Sequence, residues 1–166
     1  MNRNRPILNL PFSPMEKGLE ALSLILVCLM WLHIANSYAS LHGQIPTHFG
    51  FSGKADAWGG KSSLFVLPAI GTLLYVLLTV LARYPHLFNY PKEVTEANAP
   101  FLYRKSREML AWLKIEELAL FSYIEWNTIA IAVNHSNDEN MAFLPLVLIV
   151  IFGTIGIYTF ILLRHD

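Results

Sequence analysis

Residues 144–163 read LPLVLIVIFGTIGIYTFILL, a run of twenty positions without a single charged side chain. At 1.5 Å per residue, a helix of this length matches the hydrocarbon core of a bilayer, which is about 30 Å thick. Three further apolar runs of comparable length lie at about 19–41, 63–83 and 112–133. The sequence therefore predicts an all-α, polytopic membrane protein folded as a bundle of four transmembrane helices.

The overall composition supports a membrane environment. Hydrophobic residues make up 54% of the chain and charged residues only 14%, a balance that soluble domains do not show. The formal net charge is zero, so no basic field would attract nucleic acid, and we expect the lipid bilayer as the surroundings and no nucleic-acid partner. We assign 1–18, which is rich in proline, to a cytoplasmic tail and 19–166 to a single four-span domain.

The positions of the basic residues predict the orientation of the spans. Lysine and arginine flank the first span on its N-terminal side and are frequent between the second and third spans, whereas the last connection, 134–143, has none. Because basic loops stay on the cytoplasmic side, we expect both termini in the cytoplasm and a multi-pass protein of the inner (cytoplasmic) membrane. A signal peptide cleaved after Ser37 or Ala39 is the alternative, although the lead before its apolar core is unusually long.

The loop between the first two spans is unusually rich in residues that fix the shape of a loop. Residues 45–61 read IPTHFGFSGKADAWGGK. A proline and several glycines restrict or extend the conformations that the backbone can adopt, and Trp58 is an amphipathic side chain of the kind that lies at membrane interfaces. This segment predicts an ordered extracytoplasmic loop.

The same loop carries a family resemblance. Its pattern of Ile-Pro-Thr-His-Phe, Ser-Gly, Ala-Asp, Trp-Gly and Lys, followed by an apolar helix with Pro68, resembles the bacterial membrane domain of unknown function that forms the N-terminal part of SdpI-like immunity proteins. The resemblance covers roughly the first half of the chain. It implies a partner-binding, sensing or immunity-type role without catalysis, carried by the motif residues Pro46, His48, Gly53, Asp56, Trp58 and Gly59.

Polar residues at membrane depth form a second candidate site. Glu125 falls near the middle of the third span and His33 slightly past the middle of the first, and both spans run outward in the predicted topology. An ionisable group at this depth needs a partner or a proton. We therefore predict a buried pair of His33 and Glu125, with Asn36 and Asn127 as hydrogen-bond neighbours. A contact that only helps helices to associate is the plainer interpretation.

The long segment between about Pro100 and Val133 contains no helix breaker, and it predicts one continuous helix that projects into the cytoplasm. Arg104, Lys105 and Arg107 would then lie near anionic headgroups. Lys114 would sit at the cytoplasmic interface and pair with Glu117, one turn further on. Small residues elsewhere would let helices approach closely, namely Gly71, Gly153 and Gly156.

Three functional hypotheses follow. The favoured one is a non-enzymatic protein that binds a peptide or membrane-protein partner through the outward loop and the groove near Glu125. The second is a proton-coupled transporter or channel component using Glu125 and His33, which would require a homo-oligomer. The third is a metal-dependent membrane enzyme with His42, His48 and Asp56 as ligands, but their spacing fits no standard pattern. We expect no metal and no cofactor, with His48 and Asp56 bonded to backbone groups of the loop.

Overall fold

The computed structural model describes residues 5–50, 54–134 and 143–164, and most of them are helical. The four long helices are α1 (Pro14–Ser37), α2 (Val66–Leu81), α3 (Ala99–Asn134) and α4 (Phe143–Arg164). Two strands, β1 (Gln44–Phe49) and β2 (Ala55–Gly60), lie between α1 and α2. Short 3₁₀ turns at Lys61–Phe65 and Pro85–Leu87 precede and follow α2.

Among the described residues, three helical segments are long and apolar enough to cross a membrane. They are Pro14–Ser37, Lys61–Leu81 and Pro145–Arg164. Large apolar side chains cover the outer surfaces of these helices, including Leu73, Ile149 and Phe152, each about two-thirds exposed. A water-soluble protein rarely leaves so much apolar surface uncovered, whereas lipid solvates it. The chain thus has the features of a membrane protein, and α3 is not among the three qualifying helices.

Helix α3 lies at the centre of the bundle and packs against α1, α2 and α4. It runs parallel to α1, since Arg107 contacts Glu16 near the start of both helices and Ile129 clusters with Ile34 near the end. Because the three apolar helices cover it, α3 can bury polar side chains that a lipid-exposed helix could not. The buried ones include Arg107, Glu108, Lys114, Glu125, Asn127 and Thr128.

The N-terminal segment is packed onto α3. Helix α1 begins at Pro14, earlier than the predicted position 19, because Ser13 and Glu16 form a capping box at its first turn. Before it, Leu8 and Leu10 pack on a buried cluster that includes Leu102. The predicted headgroup contact of Arg107 is wrong: its side chain is 4% exposed and paired with Glu16.

The loop after α1 is a β-hairpin, which the all-α prediction did not include. Strands β1 and β2 pair antiparallel, with Pro46 opposite Trp58 and His48 opposite Ala57. Thr47 has no partner in this register, so β1 contains a bulge beside a proline that cannot donate to the ladder. Gly43, with φ of 81°, occupies the left-handed region just before β1, where glycine is favoured.

Candidate functional site

His33 on α1 and Glu125 on α3 contact each other inside the bundle. The distance from His33 Nδ1 to Glu125 Oε1 is 3.2 Å, and the two side chains are 28% and 1% exposed. The imidazole also stacks on the Trp126 indole, with ring centroids 4.9 Å apart. Glu125 Oε2 is buried and has no hydrogen-bond partner in the described part of the chain. The carboxyl group therefore has one oxygen in use and one still able to bind a donor.

The two predicted asparagine neighbours are placed differently. Asn36 lies beside the pair, since it lines a cavity together with His33 and Glu125. Asn127 is buried but follows Glu125 by two positions, about 200° around the helix axis, so it lies on another face of α3. Its predicted role as a hydrogen-bond neighbour of the pair stays a prediction.

A cavity lies beneath the hairpin and reaches Glu125. This outer cavity has a volume of about 480 Å³ and is bounded by β1, the turn before α2, α2 itself and α3. His48 lines it on the hairpin side, and Glu125 and Thr128 line it on the α3 side. The rest of the lining is largely apolar, as is usual for binding cavities with a few convergent polar groups.

A second cavity reaches Glu125 from another direction. This lateral cavity, of about 380 Å³, lies between α1 and α3 and is lined by His33, Asn36, Glu125 and Trp126 among others. Glu125 is the residue that lines both the outer and the lateral cavity. The Glu125 carboxyl group thus lies between the outer and the lateral cavity.

The motif residues of the loop meet on the hairpin. His48 Nδ1 and Asp56 Oδ1 are 2.5 Å apart, and both side chains are more than half exposed. They therefore bond to each other across the strands, whereas we had expected both to bond to backbone groups of the loop. Gly59 packs closely against Thr47, since a Cβ there would lie 2.7 Å from Thr47 Cγ2. Gly53 lies outside the described residues.

No group of three His, Cys, Asp or Glu side chains suited to a metal ion occurs within the described ranges. His42 does not join His48 and Asp56 in such a group, and its Nδ1 lies 2.8 Å from the carbonyl oxygen of Ser40. The three residues that the metal-enzyme hypothesis proposed as ligands therefore do not come together in this structure.

Lys114 is paired across helices and not along its own helix. Its ammonium group contacts the carboxylate of Glu20 on α1 and the hydroxyl of Thr79 on α2, the latter at 2.9 Å. The predicted pairing with Glu117 is therefore wrong, and Glu117 Oε1 is buried without a hydrogen bond among the described residues. The sequence analysis did not predict Glu20 as a partner of Lys114. A carboxylate early in an apolar run was a signal that could have identified it, because such a group needs a partner.

The comparisons with known proteins point to uncharacterised relatives. Residues 25–72, from the second half of α1 through the hairpin into α2, match the domain of unknown function DUF1648. An uncharacterized protein of Archaeoglobus fulgidus is 33% identical over 89 residues, which cover 49% of this chain and 49% of that protein. The chain thus spans about half the length of the curated relative it matches. No solved structure matches.

Proposed function

We propose that this protein is an integral membrane protein with α3 as a fourth span and both termini in the cytoplasm. The packing of α3 against three lipid-compatible helices supports this topology, because α3, with 36 residues, is also long enough to cross the bilayer beside them. The basic residues before α1 and between α2 and α3 support the orientation. The hairpin would then face outward, above the end of the bundle at which α1 finishes.

We further propose that the protein binds a partner without catalysis. The outer cavity carries this proposal, because it leads from the exposed His48 on the hairpin to the buried Glu125. Its apolar lining suits an apolar peptide segment. The Oε2 atom of Glu125, which has no hydrogen-bond partner among the described residues, suits a donor such as an amine or guanidinium group. The resemblance to SdpI-like proteins adds a toxin peptide to the candidates and favours an immunity or sensing role.

Site-directed photocrosslinking in native membranes tests this proposal. A photoreactive amino acid at Thr47, which lines the outer cavity, should link to a reproducible partner. The same group at His42, which is exposed near the hairpin but outside the cavity lining, is the matched control.

The role of the buried carboxyl group is tested in the same assay. Glu125→Gln should reduce the Thr47 link, and Glu125→Leu should abolish it, because only glutamine keeps hydrogen-bonding capacity. Equal linking from Thr47 and His42, or a Thr47 link that both variants leave unchanged, would refute binding through the cavity. If Thr47 links only to another copy of this protein, the result would indicate a homo-oligomer and not a separate partner.

A proton-coupled transport function is the second candidate. The observation that favours it is the position of Glu125, which contacts His33 and lines both the outer and the lateral cavity. A carboxyl and an imidazole in contact can pass a proton from one of these cavities to the other. Four spans are few for a monomeric transporter, so this function requires an oligomer.

Proton flux into proteoliposomes tests the second candidate. We expect Glu125→Gln and His33→Gln to abolish a flux driven by a pH gradient, while Asp56→Asn, at an exposed site, leaves it intact. Equal flux in wild type, both variants and protein-free liposomes would eliminate the transport function and leave partner binding standing.

A further inference from the structure

A third cavity lies at the opposite end of the bundle from the hairpin, where α1 begins and α2 ends. This inner cavity has a volume of about 370 Å³ and is enclosed by α1, α2 and α3. Its back wall holds the paired charges of Glu20 and Lys114, and Arg107 and Glu16 form a second pair beside it. These four charged side chains therefore neutralise one another.

Two cations in the lining remain uncompensated. Lys17 lies in the first turn of α1, and Arg83 lies two residues after Leu81, the last residue of α2. Both are exposed, and neither side chain forms an ion pair or a hydrogen bond among the described residues. With the paired charges cancelled, the mouth of the inner cavity carries a positive charge that fits an anionic group.

The wall that leads away from these cations is apolar. Ala21 and Leu24 line it on α1, and Leu78 lines it on α2. Leu24 is 49% exposed on a helix that qualifies as a membrane span, so this side of the cavity opens toward lipid. A charged mouth at the helix ends and an apolar wall along the helices together match an amphiphile with an anionic head.

We propose that the inner cavity binds an anionic phospholipid, with its phosphate between Lys17 and Arg83 and one acyl chain against Ala21, Leu24 and Leu78. A soluble phosphate compound would use the cations but gain nothing from the apolar wall. A zwitterionic lipid would use the wall but bring its own cation toward two others. The site is independent of the outer cavity and of any partner bound there.

Native mass spectrometry of the purified protein in detergent tests the charge requirement. We expect dioleoyl phosphatidylglycerol to bind about tenfold more tightly than dioleoyl phosphatidylcholine, since two basic side chains attract its phosphate. The double variant Lys17→Gln/Arg83→Gln should lose this preference. The matched control Arg104→Gln/Arg164→Gln removes two exposed cations outside the cavity and should keep it.

A substitution pair tests the apolar wall. Ala21→Trp places a bulky ring in the inner cavity and should weaken binding of phosphatidylglycerol about tenfold. Leu22→Trp, at the neighbouring exposed position outside the lining, should leave the affinity unchanged. The thermal unfolding midpoint of each variant establishes that it is folded.

Three results would overturn the proposal. The first is an equal loss of preference in the Arg104→Gln/Arg164→Gln control, which would indicate general surface electrostatics. The second is unchanged affinity in Ala21→Trp, which would remove the acyl chain from the cavity. The third is glycerol phosphate binding as tightly as phosphatidylglycerol, which would make the site one for a soluble anion.

Discussion

Glu16 on α1 and Arg107 on α3 form a buried ion pair between residues 91 positions apart in the sequence. The Arg107 Nε donates to Glu16 Oε1 at 2.8 Å, and its two terminal nitrogens donate to the carbonyl oxygens of Leu10 and Pro11 at 2.9 and 3.1 Å. Glu16 also accepts from the backbone of Ser13 in the capping box. One guanidinium group thus joins the N-terminal segment, the start of α1 and α3.

Breaking this pair from one side should destabilise the fold. We expect Arg107→Met to lower the free energy of unfolding by about 3 to 5 kcal/mol, because it leaves Glu16 charged and buried without its partner. The double variant Glu16→Gln/Arg107→Met should recover part of this loss. Unfolding by increasing dodecyl sulfate in mixed micelles measures both, with exposed Arg104→Gln as a control expected within about 0.5 kcal/mol of wild type. A loss for Arg107→Met no larger than for Arg104→Gln would contradict the buried pair.

Gly71 on α2 packs closely against side chains of α3. A Cβ at this position would lie 3.3 Å from both Leu118 Cδ2 and Phe121 Cδ2, whereas a Cβ at Gly156 on α4 would meet nothing within 4 Å. We expect Gly71→Val to cost about 1 to 3 kcal/mol by overpacking and Gly156→Val to cost little. The same micelle assay compares the two. Equal costs would mean that α2 can move away from α3 freely.

Tyr90 should make stability depend on pH in the alkaline range. Burial raises the pKa of the Tyr90 phenol, whose hydroxyl donates to the carbonyl oxygen of Pro85 at 2.8 Å. In the unfolded chain a tyrosine ionises near pH 10, so above this pH unfolding releases a proton. Stability contributed by Tyr90 is therefore complete below about pH 10 and declines as the pH rises further.

The variant Tyr90→Phe separates the effect of Tyr90 ionisation on stability from that of lysine ionisation, because the lysines are the same in wild type and variant. We expect it to lose about 1 kcal/mol at pH 8 through the missing hydrogen bond and to show a shallower decline above pH 10. Chemical unfolding between pH 8 and pH 11 measures both quantities. Parallel pH profiles for the two proteins would show that Tyr90 does not carry the dependence.

The proposed topology predicts which sites an impermeant maleimide can reach in intact cells. Cys28 is the single cysteine, so Cys28→Ser provides a background without thiols. Lys54→Cys on the hairpin should be labelled from outside, whereas Lys17→Cys and Arg164→Cys should react only after permeabilisation. Labelling of Lys17→Cys and Arg164→Cys from opposite sides would require an odd number of crossings and would exclude α3 as a span.

Pairwise contacts were predictable only where membrane depth constrained them. His33 and Glu125 fall at similar positions along two predicted spans that run in the same direction, and this alone suggested their contact. Lys114 was assigned to Glu117 because a neighbour one turn away is visible in the sequence. Its actual partner Glu20 lies on another helix, and which faces of two helices meet depends on packing across the whole bundle.

The sequence by itself determined the surroundings and the helices of this protein. Apolar runs of bilayer length specify membrane helices, because a backbone in lipid has to satisfy its hydrogen bonds within the helix. The tertiary structure alone decided that α3 is the central helix, that the motif loop is a hairpin over a cavity, and that Glu125 lines two cavities. These features depend on how side chains from distant segments fill space together, which no local pattern encodes.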